Sequence, residues 1–243
     1  MIVERIEYQA GSVRGRGAIV YNEKLDLKRP LLLVMPNWLG VTDTIIERAA
    51  KMAGDQYIAF VGCMYGDGKI PAGPPEAQEL VQSLRTDFIE GRKRVTAALD
   101  TLVAEAARRN IGDLSKKAAV GFCFGGGNVL ELARSGADLD AVVCLHGELT
   151  TALPAKRGDI KPAVFVIHGS KDPVVPKTAR DAFEAEFDGA EANWQLLDFG
   201  GRLHSFTEEE ALVAGIAQYN AGAAHQSYRM LNDFIQDAFN KKL

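Results

Sequence analysis

The sequence has few of the residues that mark disulfide-rich, zinc-binding or nucleic-acid-binding proteins. Its 243 residues include three cysteines and four histidines, with no CxxC spacing and no closely spaced histidine pair. A disulfide framework is therefore not expected, and no metal site is predicted. The chain has 28 lysines and arginines against 32 aspartates and glutamates, which gives a net charge of −4. Because there is no basic excess, nucleic acid is not expected as a partner.

Long apolar runs are also missing from the sequence. No run reaches the roughly 20 residues that a membrane-spanning helix needs, so no membrane association is expected. Charged residues interrupt the first seven positions, where a secretory signal would have a continuous apolar stretch. We therefore expect a cytoplasmic protein. With 47% hydrophobic and 25% charged residues, the chain resembles ordinary globular proteins, and its length suits one domain over residues 1–243.

Short apolar segments alternate with helical stretches along the chain. Strands are predicted at 2–8, 16–21, 30–35, 57–61, 118–122, 141–145, 163–167 and 194–199. Helices are predicted at 42–53, 76–84, 86–109, 128–134, 177–187 and 221–239. The first two strands read as a hairpin, and the rest predict an α/β protein with a mostly parallel sheet and helices on both faces. Sites in such sheets form where the strands end.

One of the three cysteines has an informative setting. Cys123 is the centre of Gly-Phe-Cys-Phe-Gly-Gly at 121–126, directly after a predicted strand. This is the G-x-nucleophile-x-G elbow of the α/β-hydrolase fold, with cysteine where serine is usual. The glycines allow a sharp turn into a helix, whose N-terminus favours the thiolate form. A tight packing turn or a phosphate-binding loop is the alternative, but neither P-loop nor dinucleotide-binding spacing is present.

A nucleophilic cysteine needs a base and an acid that orients the base. In the sequences of α/β-hydrolases the acid follows the nucleophile, and the histidine that acts as base follows the acid. Asp172 lies in a loop after the 163–167 strand, and His204 lies in the loop after the last strand. Each alone could be an ordinary loop residue. The ordered trio with Cys123 is more specific, and it predicts a catalytic triad.

The remaining histidines and cysteines have simpler interpretations. His146 and His168 end apolar segments and are expected to be structural residues with satisfied hydrogen bonds, while His225 lies in the last helix. Cys63 and Cys144 are expected to be small buried hydrophobic residues.

These motifs together resemble the dienelactone hydrolase family of α/β-hydrolases, which use a Cys-Asp-His triad. The resemblance runs from Leu31 to about Phe239 and includes 64–69, 121–126, 168–172 and 204–207. It implies the α/β-hydrolase fold and hydrolysis of a small-molecule ester or lactone through a thioacyl-enzyme. No cofactor is implied, and the oligomeric state is left open.

The resemblance also implies roles for residues outside the triad. The backbone N–H groups of Trp38 and Phe124 are expected to form the oxyanion hole. Asn37 and Tyr65 are expected to line the substrate pocket, with the glycine- and proline-rich loop at 66–75 as its lid.

Two positions depart from the family pattern. Asn37 stands where the family commonly has a glutamate that helps to activate the thiol, and an asparagine cannot take a proton. Glu208 stands where the namesake enzyme has a substrate-binding arginine, four residues after the histidine; Arg85 is a possible counterpart of a second arginine. The acidic run 208–210 is predicted to be the solvated start of a helix. A neutral substrate is therefore expected.

Two alternatives from other functional classes remain open at this point. One is a hydrolase-fold protein that binds a ligand without catalysis, which the asparagine at position 37 suggests. The other is a thiol-redox protein that uses Cys123, although no resolving cysteine lies near it in the sequence.

Overall fold

A computed structural model describes residues 1–24 and 27–243 of the chain. The chain divides into two compact units, residues 1–119 and 120–243. The single domain expected over 1–243 stays a prediction.

The first unit is built around a twisted set of strands with a hairpin at one edge. Its helices are α1 (Asp43–Ala53), α2 (Pro74–Arg85) and α3 (Phe88–Arg108). Its strands are β1 (Ile2–Ala10), β2 (Val13–Tyr21), β3 (Arg29–Met35), β4 (Ile58–Val61) and most of β5 (Gly112–Phe122). The order in the sheet is β1-β2-β4-β3-β5. β1 and β2 pair antiparallel, as do β2 and β4, whereas β3 and β4 pair in parallel.

Local sequence explains why these elements form. The segment 31–35 of β3 is completely buried, as a continuous run of leucine, valine and methionine predicts for a central parallel strand. Helix α1 begins where the Thr42 hydroxyl accepts a hydrogen bond from the Ile45 N–H, and it ends at Gly54, whose φ is 45°. A threonine N-cap and a glycine C-cap are standard helix boundaries.

The second unit begins in the last residues of β5 and carries three parallel strands in sequence order. Its helices are α4 (Phe124–Arg134), α5 (Lys177–Gly189) and α6 (Ala221–Phe239). Its strands are β6 (Ala141–Leu145), β7 (Ala163–Gly169), β8 (Trp194–Phe199), β9 (Leu212–Val213) and β10 (Ala217–Gln218). β6 pairs with β7 and β7 with β8, both in parallel, while β9 and β10 form a small antiparallel hairpin.

The parallel pairing in both units confirms the predicted mostly parallel α/β class, and all predicted strands and helices are present. Two details differ. The loop predicted at 66–75 contains a 3₁₀ turn at Gly66–Gly68, and α2 begins within it at Pro74; proline at the first helical position needs no N–H partner. The β9–β10 hairpin was not predicted.

No helix in the described part of the chain is both long enough and apolar enough to span a membrane.

Candidate active site

Cys123 occupies a strained turn between β5 and α4. Its backbone has φ 50° and ψ −116°, and its N–H donates to the Leu145 carbonyl at 3.0 Å. A Cβ at Gly121 would overlap the Gly125 carbonyl, so only glycine fits there. A Cβ at Gly126 would lie 3.0 Å from the Cys144 sulfur. The predicted elbow is therefore present, and close packing requires glycine at positions 121 and 126.

Three side chains of the second unit form a hydrogen-bonded chain at this turn. Nε2 of His204 lies 3.0 Å from Sγ of Cys123. Nδ1 of the same ring lies 2.7 Å from Oδ2 of Asp172. The order of atoms matches a nucleophile, a base and an orienting acid.

Asp172 is fixed by its own loop as well as by the imidazole. Its Oδ1 accepts hydrogen bonds from the N–H groups of Val174 at 2.8 Å and Val175 at 3.1 Å. The side chain is completely buried, so few other orientations are open to it. Asp172 therefore keeps a proton on Nδ1 of His204, and Nε2 of the same ring faces the sulfur.

The backbone of His204 is held by the β9–β10 hairpin. Its N–H donates to the Ile216 carbonyl at 3.0 Å, and its carbonyl accepts from the Gln218 N–H at 3.2 Å. His204 thus pairs with β10 like a strand residue, opposite Ala217. The next residue, Ser205, has φ 52°, which turns the chain sharply away after the histidine.

The surroundings of the imidazole favour its protonated form. Burial lowers the pKa of His204, but the Cys123 sulfur and the hydrogen bond to Asp172 act in the opposite direction and together raise this pKa to about 10. The imidazolium is therefore the main form of His204 at neutral pH. A cation between a carboxylate and a sulfur can serve as a general acid.

Two further histidines lie against the triad, fully buried. Nε2 of His146 lies 2.8 Å from the Thr207 hydroxyl, and its ring packs edge-on against His204 at 5.6 Å between centroids. Nε2 of His168 lies 3.5 Å from Oδ2 of Asp172. Among the described residues, neither ring nitrogen of His168 has a hydrogen-bond partner. His146 therefore has one hydrogen bond of the kind predicted for a structural residue, whereas the satisfied hydrogen bonding predicted for His168 is wrong.

The acidic run that follows the triad histidine is not the start of a helix. Glu208 is buried, with 1% of its surface exposed, whereas Glu209 and Glu210 are exposed. The Glu208 N–H donates to the Ser205 carbonyl and the Ala211 N–H donates to the Glu208 carbonyl, which gives two successive turns. The prediction of a solvated helix start is therefore wrong, because the turn at Ser205 directs Glu208 inward.

The predicted pocket residues of the first unit lie together in that unit. The Tyr65 hydroxyl donates to the Trp38 carbonyl at 2.8 Å, and Oδ1 of Asn37 accepts from the Leu39 N–H at 2.9 Å. Tyr65 is buried, while Asn37 and Trp38 are half-buried. Asn37 thus stabilises the turn that leads to Gly40, whose φ is 76°.

Phe124, the other predicted oxyanion-hole residue, is the first residue of α4. The N–H of a first helical residue is directed out of the helix N-terminus, where the helix dipole favours negative charge.

The other two cysteines are buried, as predicted. Sγ of Cys63 donates to the Tyr65 carbonyl at 2.6 Å. Burial raises the pKa of Cys144 to about 12, which makes it a poor nucleophile at neutral pH.

Thr207 is a residue of the site to which the sequence analysis assigned no role. Its hydroxyl contacts His146, and its carbonyl accepts from the Tyr228 hydroxyl at 3.3 Å. The available signals were its position three residues after His204 and its place at the end of the family motif 204–207.

Within residues 1–24 and 27–243, no three histidine, cysteine, aspartate or glutamate side chains are grouped as metal ligands.

Comparison with known proteins gives consistent results. The family model described as the dienelactone hydrolase family matches residues 16–239. An uncharacterised protein of Caenorhabditis elegans is 34% identical over 155 residues, which are 61% of this chain and 94% of that protein. A protein of Escherichia coli, provisionally named carboxymethylenebutenolidase, is 24% identical over 223 residues, or 88% of this chain and 79% of that protein.

Solved structures give the same result for the fold. The crystal structure of a dienelactone hydrolase-like promiscuous phosphotriesterase from metagenomic libraries has a TM-score of 0.89 and 33% identity, and 98% of each chain is covered.

Proposed function

This chain belongs to the dienelactone hydrolase family, and we propose that it cleaves small neutral esters or lactones through a thioacyl intermediate on Cys123. The enzyme is a hydrolase, as its family membership implies. The observation that carries the finer proposal is the chain of contacts from Asp172 through His204 to the sulfur, at 2.7 and 3.0 Å. It supports catalysis over ligand binding alone.

In the first half-reaction, the Cys123 thiolate attacks the carbonyl carbon and forms a C–S bond. The bond between that carbon and the leaving oxygen breaks. Nε2–H of the His204 imidazolium gives its proton to this oxygen, and the alcohol departs. Asp172 keeps its hydrogen bond to Nδ1 throughout, so the ring does not rotate while its charge changes.

In the second half-reaction, the now neutral Nε2 of His204 takes a proton from water. The water oxygen attacks the thioester carbon, the C–S bond breaks, and the acid is released. Cys123 returns as thiolate and His204 as imidazolium. One water is consumed; an ester gives one acid and one alcohol, and a lactone gives one hydroxy acid in which the alcohol stays attached.

Negative charge develops on the carbonyl oxygen in both half-reactions. We assign its stabilisation to the backbone N–H groups of Phe124 and Trp38, and we assign Asn37 and Tyr65 to the substrate pocket. A preorganised N–H donor of this kind contributes about 10²–10³ in kcat. The position of Phe124 at the first turn of α4 supports its part of this assignment.

The proposal is tested by trapping the intermediate. Mass spectrometry after a rapid acid quench with p-nitrophenyl acetate should show one acetyl group, located on the peptide that contains Cys123. Cys123→Ala should abolish both the acetyl adduct and turnover. Cys63→Ala is the matched control and should retain both. Turnover retained in Cys123→Ala would refute the thioacyl mechanism.

A second candidate activity follows from the relative that is 33% identical over 98% of the chain and is named a promiscuous phosphotriesterase. Neutral phosphotriesters present an electrophilic phosphorus to the same thiolate. Turnover of a p-nitrophenyl phosphotriester that is lost in Cys123→Ala would support this activity in the present chain.

A further inference from the structure

The β9–β10 hairpin carries apolar side chains in solvent next to the triad. Leu212 is 84% exposed, Val213 50% and Ile216 45%. These residues lie within five positions of one another, in a segment that hydrogen-bonds to the backbone of His204. Exposed apolar side chains this concentrated are uncommon and often mark a binding surface.

Strand pairing shows which of these side chains shares a face with the imidazole. His204 pairs with Ala217, and Ala217 pairs with Val213. Paired residues of neighbouring strands direct their side chains to the same face of a sheet. His204, Ala217 and Val213 therefore form one row across three strands. Leu212, adjacent to Val213, points to the opposite face because side chains alternate along a strand.

The row leads away from the reacting atoms over an apolar path. Ala217, its middle member, keeps 8% of its surface exposed, and Val213 lies two strand spacings from His204, roughly 10 Å between Cα atoms. The next charged residues before the hairpin are Glu209 and Glu210, both exposed. An anionic chain would be repelled by these carboxylates, whereas an uncharged apolar chain would not.

The chemistry of the proposed reaction says which part of the substrate lies here. His204 gives its proton to the leaving oxygen, so the alcohol part of the ester must lie beside the imidazole. The acyl part remains on the sulfur. The alcohol part is therefore the one that extends along the face of His204, Ala217 and Val213.

We propose that Val213 is a specificity-determining residue that binds the apolar alcohol moiety of a neutral ester. This inference rests on the function proposed above and adds the class of substrate: esters of uncharged alkyl or aryl alcohols long enough to cross Ala217. Leu212 has no part in this binding, because it lies on the other face of the hairpin.

The test compares Val213→Ser with the matched control Leu212→Ser on two ester series. The first series varies the alcohol, from methyl to hexyl acetate, and the second varies the acyl group, from methyl acetate to methyl hexanoate. Val213→Ser removes the apolar contact between the valine side chain and the alkyl chain, so kcat/KM for hexyl acetate should fall roughly fivefold. Methyl acetate and the acyl series should be unchanged, as should every substrate with Leu212→Ser.

Several results would overturn the inference. An equal loss on methyl and hexyl acetate would indicate a general effect on His204, and an effect confined to the acyl series would place the wrong part of the substrate here. An equal loss in Leu212→Ser, or a change of sedimentation coefficient in either variant, would indicate that the hairpin contacts another chain. Thermal unfolding of both variants checks that they remain folded.

Failure of this inference differs from failure of the proposed function. If activity depends on Cys123 but Val213→Ser leaves the preference for alcohols unchanged, only the role of Val213 is refuted. If ester turnover persists in Cys123→Ala, the thioacyl mechanism is refuted.

Discussion

Asp172 contacts two histidines through the same carboxylate oxygen. Its Oδ2 lies 2.7 Å from Nδ1 of His204 and 3.5 Å from Nε2 of His168. Only the first distance is that of a good hydrogen bond. Burial lowers the pKa of His168, so its ring stays neutral and does not compete as a cation for the carboxylate. The stronger interaction of Asp172 is therefore with His204.

Asp172→Asn should remove this interaction with little change in shape. An asparagine amide can donate to Nδ1 and stabilise the wrong tautomer, which leaves Nε2 unable to accept a proton. We expect kcat to fall by roughly 10³–10⁴. Steady-state kinetics with an activated ester measures the loss. Asp181→Asn is the control, since Asp181 is an exposed residue of α5, and it should behave as the unmodified protein.

Cys123, His204 and Asp172 should behave as one unit, so their losses should not multiply. His204→Ala should cost nearly as much as Cys123→Ala, and adding Asp172→Asn to His204→Ala should cost little more. A double variant whose loss equals the product of two independent losses would contradict the shared mechanism.

Activity and stability should both depend on the ionisation of His204. Its pKa is about 10 in the folded protein and near 6.5 in an unfolded chain. The stabilisation is therefore fully present below about pH 6.5 and is lost as the pH rises through 10. At alkaline pH, kcat/KM should decrease with a midpoint near pH 10, because deprotonation of His204 removes the proposed general acid. His225→Gln should leave this midpoint unchanged, whereas a midpoint near pH 6.5 would contradict this assignment.

The charge of the substrate is a separate prediction. Four residues after His204, Glu208 is buried, and Glu209 and Glu210, which follow it, are exposed. Burying the carboxylate of a substrate without a cation partner is costly. A free-acid lactone should therefore have a much lower kcat/KM than its methyl ester. Arg85→Ala and Arg202→Ala should leave this ratio unchanged. A clear preference for the free acid would instead indicate an arginine anchor.

The second unit also contains a buried ion-pair network that should be important for stability. The Arg134 side chain is completely buried and contacts Glu131 at 2.9 Å and Glu186 at 2.8 Å. Arg134→Met should remove the cation that contacts the buried Glu131 and the partly buried Glu186, and it should cost about 3–5 kcal/mol in urea unfolding. Arg157→Met is the matched control, because its pair with Glu191 is exposed and such pairs contribute about 1 kcal/mol or less. Equal losses would show that burial of the network is unimportant.

The elbow and the trio were predictable because their signals are local. Glycines on both sides of Cys123 specify a sharp turn whatever surrounds it, and the order of acid and histidine needs only the sequence. The burial of Glu208 was not predictable, because it depends on the turn at Ser205. The β9–β10 hairpin has two-residue strands, which are too short to show any periodicity.

His168 illustrates a different limit. The sequence showed that it lies at the end of a strand. Because buried polar groups are usually hydrogen-bonded, satisfied ring nitrogens were predicted. Whether its ring nitrogens would find partners depended on side chains from β8 and the Asp172 loop, which no local pattern specifies.

The backbone angles around the triad place thermal stability and activity in opposition. Cys123, His146 and Ser205 have φ of 50°, 39° and 52°, and non-glycine residues in this region cost of order 1–3 kcal/mol each. Glycine at position 123 would relieve the strain at that residue and remove the proposed nucleophile. Selection for resistance to heat alone would therefore favour replacement of this cysteine, so thermostable variants of this enzyme should be selected for turnover at the same time.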